Sequence, residues 1–190
     1  MFVIFRQLKT NKAMKKTILS MMLLAGTWMA QAQSGDFPQH EVKFNILNVI
    51  ALGSVEVGYE YYLDEHQSVG LDVLINDTYN MSFGRQVEDF NTNSLQLSYN
   101  YNISRRGDGS GFIVSPLLKF RFGDYQATSE TPKIDMDSFI IGLGAGYKWS
   151  FNNRFVIGPY ANIGRNFSEE VTEEFTKIEF SAGFNLGFKF

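Results

Sequence analysis

The chain has no cysteine. That excludes a disulfide framework, a thiolate metal site and a lipid-bearing cysteine behind a leader. After residue 32 there is no run of 18 apolar residues, so no transmembrane helix is available. Histidine is scarce, with 2 in 190 residues. Basic charge is short too, once the first segment is set aside. Lys15-Lys16, an apolar stretch from Thr17 to Ala30 and the small-x-small run Ala30-Gln31-Ala32 form a secretory signal, cut after Ala32. The stretch is too short to span a bilayer, which takes about 20 residues. The signal is complete from Met14, so residues 1–13 read as an upstream extension. Removing 1–32 takes Lys+Arg from 17 to 12 against 20 Asp+Glu, a net charge of −8. Phosphate binding needs a basic footprint, so nucleic acid is excluded as a partner.

What the chain does have is alternation. In Phe180-Ser-Ala-Gly-Phe-Asn-Leu-Gly-Phe-Lys-Phe190 every second residue is apolar and those between are small or polar. This is a strand with one greasy face. Seven more such segments precede it. They run about 41–48 (Val42, Phe44, Ile46), 54–63 (Val55 to Tyr61), 67–76 (Val69 to Ile75) and 94–103 (Leu95 to Ile103). The others are 111–123 (Phe112 to Phe122), 138–151 (Phe139 to Phe151) and 155–165 (Phe155 to Ile163). The apolar face carries no charge in any of them. The other face carries Gly58, Gly70, Gly142, Gly144, Gly146, Gly158, Gly164, Gly183 and Gly187, together with Lys43, Glu56, Glu60, Asp72, Lys119, Arg121, Lys148 and Glu179.

An eight-stranded barrel has an interior just wide enough for side chains to fill. It cannot hold this many aromatic rings, so the glycine-rich face is inside and the aromatic face outside. Such an exterior is a liability in water and a requirement in a bilayer. A soluble lipocalin-type barrel has the opposite arrangement. The reading is therefore all-β: an eight-stranded antiparallel up-and-down transmembrane β-barrel over 41–190, after a signal at 1–32 and a short periplasmic segment at 33–40. Short turns (Asp64 to His66, Arg105 to Gly111, Asn152 to Arg154) alternate with connections at 49–53, 77–93, 124–137 and 166–176; the first is short and the other three long. Short turns belong on the periplasmic side, with both termini. Tyr61, Tyr101, Trp149 and Phe155 fall there as an aromatic girdle, joined by Phe188 and Phe190.

The closing strand ending Phe188-Lys189-Phe190 resembles that of the small eight-stranded outer-membrane barrels of gram-negative bacteria, the OmpA/OmpX-like group. The stretch Phe44-Asn-Ile-Leu-Asn48 followed by Val57-Gly-Tyr-Glu-Tyr61 is similar to the opening hairpin of secreted barrels of this type. The resemblance implies an outer-membrane location and a closing strand (Phe184, Leu186, Phe188, Phe190) read by the outer-membrane assembly machinery. It also implies outer-membrane lipid and lipopolysaccharide as surroundings, and a monomer.

Little in the chain points to catalysis. A lipid-modifying barrel needs a histidine with a serine and an acid near the membrane. His40 and His66 both fall on the turn side. Arg106-Gly107-Asp108 reads as turn chemistry. Glu169, Glu170, Glu173 and Glu174, with Asp124, Glu130, Asp135 and Asp137, lack the Asp-x-Asp-Gly calcium pattern and read as a solvated acidic surface. No cofactor or metal is expected. Charges inside a narrow barrel are costly unless paired, so the four interior acids are expected to face the four interior bases and plug the lumen. The function expected is a non-enzymatic surface barrel whose long loops meet envelope or external partners. The alternatives are a narrow channel for small solutes or ions and a lipid-modifying enzyme.

Overall fold

The computed structural model describes residues 38–77, 89–104, 108–126 and 132–190. The leader, residues 78–88 of the first long loop, Arg106-Gly107 and Glu130 lie outside that set. The elements in order are β1 (His40–Asn45), α1 (Ile46–Leu52), β2 (Val55–Tyr62), β3 (Gln67–Ile75), β4 (Asp89–Asn102) and β5 (Gly111–Gln126). Then follow β6 (Ile134–Asp135), β7 (Ser138–Phe151), β8 (Phe155–Asn166), α2 (Glu169–Glu174) and β9 (Ile178–Lys189).

Eight of the strands form a closed antiparallel ring. From β1 the order is β2, β3, β4, β5, β7, β8, β9 and back to β1; β6 is a two-residue strand riding on the end of β5. Closure is made by Phe44, which stands opposite Val57 on one side and Leu186 on the other. Following cross-strand partners once around the ring, the register climbs about ten residues, which for eight strands corresponds to a tilt of about 40°. Closure removes every long edge.

Alternation decides what each wall presents. Val57, Tyr59, Tyr61, Val69, Leu71, Val73, Leu97, Tyr99, Leu118, Phe120, Ile141 and Leu143 are all exposed. Glu56, Glu60, Ser68, Asp72, Gln96, Ser98, Lys119 and Arg121 are all buried. The polar residues thus form the interior and the greasy residues the exterior. Within the segments read from the sequence, one charge breaks the expected outer pattern: Arg165, at the end of β8, is exposed in phase with Ile163. Asp124 shares the outward phase only in the stretch by which β5 outruns its predicted end.

Local signals override alternation at the loop end. The first strand stops at Asn45 instead of running to 48, and 46–52 is the helix α1 where a short connection was expected. Asn45 caps α1 by accepting from the Asn48 N–H at 3.2 Å, and Gly53 ends it in the left-handed region at φ 64. β4 begins at Asp89, inside the predicted 77–93 loop. The 124–137 loop is also shorter than predicted, because β5 runs on to Gln126, and it holds β6; the last loop keeps its length at 167–177 and holds α2. Tyr125, Met136 and Val171 are buried together there, with Ile134 and Phe175 against them. Tyr125 meets Phe175 edge-on at 5.3 Å.

Two prolines sit within strands. The β4–β5 ladder is interrupted at Tyr99 and Asn100, where Pro116 stands opposite, and the β7–β8 ladder at Tyr147 and Lys148, where Pro159 does. Proline has no N–H to give to a ladder. At the second gap Gly158 is required, since a Cβ there would lie 1.8 Å from the Tyr147 carbonyl oxygen. At Gly164 an added Cβ would meet the Ile140 Cγ2 methyl at 2.6 Å, while the nearest backbone atom, the Ile141 carbonyl oxygen, is 3.4 Å away. Gly158→Ala is therefore expected to cost about 1–3 kcal/mol and Gly164→Ala clearly less. Guanidinium unfolding followed by Trp149 fluorescence checks the order; equal midpoints contradict it.

Candidate functional site

The interior is the chemically distinctive part of the molecule, and it is organised in levels. At the loop end, Arg121 on β5 reaches Glu179 on β9, three strands away around the ring. Its Nη2 lies 2.7 Å from Glu179 Oε1 and 2.9 Å from Asp77 Oδ2, and its Nη1 donates to Glu179 Oε2 at 3.0 Å. Lys119 lies 2.7 Å from both acids. Ser94 Oγ donates to Asp77 at 2.5 Å. Two cations and two carboxylates thus neutralise one another, and Arg121 has 0 % exposure.

The next level holds Glu56, which was expected to face a cation. No cation lies within ion-pair distance of it among the described residues. Its Oε2 instead accepts from Asn45 Nδ2 and Asn48 Nδ2, both at 2.8 Å, and from the Tyr160 hydroxyl at 2.6 Å. The physical reason is space: Tyr160 projects inward from β8 and fills the position across from Glu56. Neutral donors stabilise a carboxylate without adding a second charge to be desolvated.

At the turn end Lys148 crosses from β7 to Glu60 on β2, the opposite wall, at 2.7 Å, and to Glu41 at 3.2 Å. Its ammonium also donates to the Tyr62 hydroxyl at 3.0 Å, and Tyr62 donates to Glu41 at 2.5 Å. Lys43 pairs with Asp72 at 2.9 Å and stands 3.9 Å from Glu60. Lys189, fully buried, lies 4.7 Å over the Tyr62 ring and donates to the Asp108 carbonyl at 3.1 Å. Between the Lys148 and Tyr160 levels is a cavity of about 70 Å³, and above Tyr160 one of about 20 Å³. The larger holds only a handful of waters.

The structure therefore brings together Lys119, Arg121 and Glu179 in one cluster, and Lys43, Glu60, Asp72 and Lys148 in another. Glu41, Asp77, Lys189 and Tyr62 belong to these clusters and were not among the interior charges read from the sequence. Glu41, Lys189 and Tyr62 keep the inward phase of their strands and lie within the segments read from the sequence, so they could have been found by following that phase to the strand ends. Asp77 could not. It is out of phase with Asp72, and Asn76 before it, at φ 58, turns the chain so that Asp77 points inward.

Elsewhere the placement is simpler. Tyr61, Tyr101, Trp149 and Phe155 are all exposed at the turn end, with Tyr147 beside Trp149 at 4.8 Å and Phe155 against Phe188 at 5.3 Å. Phe184, Leu186 and Phe188 point outward on β9, and Phe190 follows its last residue. His40 Nδ1 meets the Tyr59 hydroxyl at 2.6 Å, and His66 donates its backbone N–H to Asp64 at 2.7 Å; both lie at the turn end. Asp108 closes a turn by accepting from Ser110 N and Oγ, both at 2.8 Å. Partial burial works against its charge, yet these bonds hold its carboxyl below the usual carboxylate range. Of the acids at the loop end, Asp124 pairs with Lys133 at 2.7 Å, and Asp135 and Asp137 accept backbone N–H groups at 2.9 Å. Glu169, Glu170 and Glu173 are exposed along α2. No set of three His, Cys, Asp or Glu fit to hold a metal occurs among the described residues.

The levels differ in what a single deletion leaves behind. Arg121→Met strands two buried carboxylates against one lysine and is expected to cost about 3–5 kcal/mol. Tyr160→Phe removes one of three donors to Glu56 and is expected to cost about 1–2 kcal/mol. Equilibrium unfolding of the two variants checks the order; a larger loss for Tyr160→Phe contradicts it.

Among solved structures, the N-terminal β-barrel domain of Pseudomonas aeruginosa OprF is similar in fold, with a TM-score of 0.57 at 18% identity over 80% of this chain and 96% of that one. No curated protein matches. A family profile matches residues 18–183. The chain belongs to that family, described as a protein of unknown function (DUF3575).

Proposed function

We propose that this protein is a non-enzymatic outer-membrane β-barrel of a gram-negative bacterium. It is exported by the 1–32 signal, has a lumen closed to solutes, and holds a structured platform on the outer surface for contact with envelope or external partners. The observation that carries this reading is the pair of cross-lumen bridges, Arg121 to Glu179 and Lys148 to Glu60, which tie opposite walls together at two levels. A pore needs a continuous water path, and the space left between the bridges is small and divided by Tyr160. The exposed apolar band supports a lipid surround, since water is a poor solvent for it. The β-barrel likeness to OprF supports the same location. The platform made by β6, α2 and the end of β5 is held by its own small core, so it presents a fixed surface.

Planar-bilayer recording with the purified full chain tests the closed lumen. No large, steady conductance is expected from the wild type, and Arg121→Ala with Lys148→Ala is expected to raise whatever leak is seen. A stable open channel in the wild type would establish the narrow-channel reading instead. The lipid surround has its own test. Leu97→Arg, on the outer face of β4, is expected to cost about 2–4 kcal/mol in vesicles. A soluble barrel would tolerate it with little loss.

A further inference from the structure

Arg165 is the charge that alternation places on the wrong side. It lies on the outer face of β8 at the loop end, where its cross-strand partners are Ile141 and Ile178, both exposed. Its neighbours in phase are Ile163 and Phe167, also exposed. The guanidinium sits 5.4 Å over the Phe167 ring, and Phe167 lies 6.3 Å from Phe139. Among the described residues no carboxylate pairs with Arg165 and no side chain accepts a hydrogen bond from it. This contrasts with the interior cations, each of which meets an oxygen acceptor. A guanidinium has five N–H donors in a planar fork that matches phosphate oxygens. Here the Phe167 ring lies on one side of it and no side chain among the described residues takes its donors, in a band of isoleucine and phenylalanine that belongs against lipid.

We propose that Arg165, set over Phe167, is a binding point for the phosphate head group of a membrane lipid in the leaflet at the loop end. The inference rests on the membrane reading given above. Charge complementarity selects the head group, and continuity with the apolar outer face selects lipid over free anion. The acyl chains would lie along Ile163, Ile141 and Ile178, and the phosphate would meet the guanidinium edge. The Phe167 ring beside the guanidinium limits the space open to it, which lowers the ordering cost of a two-point contact. Lys177 is exposed one residue from Ile178, but its register partner is the inward-facing Asn166, so it stands off this face and serves as a control.

The test uses the full chain folded in phosphatidylcholine vesicles, with spin-labelled phosphatidic acid and spin-labelled phosphatidylcholine as probes. The readout is the ratio of the two motionally restricted populations. A preference of about five-fold for phosphatidic acid is expected in the wild type. Arg165→Gln is expected to bring the ratio near one, Arg165→Lys to keep part of it, and Lys177→Gln to keep most. Altered gel mobility of the unboiled protein shows that each variant folds. An unchanged ratio in Arg165→Gln overturns the proposal. So does loss of the preference to excess inorganic phosphate at matched ionic strength, which would make the ligand free phosphate. A wild type that does not insert into vesicles overturns the membrane reading itself; one that inserts and shows no preference overturns only this inference.

Discussion

The narrowness of the ring governs the rest of the structure. Eight strands tilted at about 40° enclose a space one layer of side chains deep. A long side chain that points inward therefore reaches the far wall. Arg121 meets Glu179 and Lys148 meets Glu60 because neither has anywhere else to go. The same narrowness expels the aromatic rings. The rings whose hydroxyl finds work inside, Tyr62 and Tyr160, are admitted to the barrel interior. A wider barrel of the same composition would leave its charges to water, and nothing would then tie its walls together.

The two halves of the wall are unlike each other. β1 to β4 line the interior with carboxylates, amides and hydroxyls, among them Glu56, Glu60, Asp72, Gln96 and Asn100. β5, β7 and β8 line it with glycine and with buried Ile113, Leu117, Ile140 and Val156, interrupted by Lys119, Arg121, Lys148 and Tyr160. Lys148 thus projects from a wall of small residues to Glu60 on the other wall, Lys119 and Arg121 reach Glu179 on β9, and Lys43 on β1 pairs with Asp72 within its own half. At Gly146 and Gly158 an added Cβ would meet the backbone of the neighbouring strand, the Pro159 carbonyl oxygen at 2.9 Å and the Tyr147 carbonyl oxygen at 1.8 Å. Gly58 illustrates the demand from the opposite side: a Cβ there would strike Asp72 Oδ1 at 2.0 Å and Lys43 Cε at 2.4 Å.

Period-two alternation made the strands, their two faces and the barrel class legible, and with them most of the interior charges. It was blind where the chain leaves the extended conformation. Asn45 reads as one more inward polar residue, yet its side chain caps α1 and ends the strand. Asn76 turns Asp77 into the interior by a single left-handed residue, which no face count can register. The β6 and α2 segments look like polar loop because their periodic apolar runs are too short to signal an element: Ile134 and Met136 stand two apart, Val171 and Phe175 four apart, and they meet Tyr125 of β5 only in three dimensions. Pairing partners were also out of reach. Glu56 lies in phase with the other interior acids, and only the position of Tyr160 across the lumen shows that its counterpart is a phenol.

Buried ion pairs are weak evidence for stability, since apolar replacements of the same volume often do as well. Their presence here needs a different account. A lumen filled with leucine would make both faces of every strand greasy, and the chain would lose the signal that tells inside from outside. Charges and glycines on one face fix the register at each strand, because a slip of one residue would place Arg121 and Glu179 in the outer band and Phe120 and Phe180 in the lumen. The interior network is thus best understood as the specification of the barrel. The features that this specification does not account for lie at the loop end, in the α1 helix, the β6–α2 platform and the outward-facing Arg165.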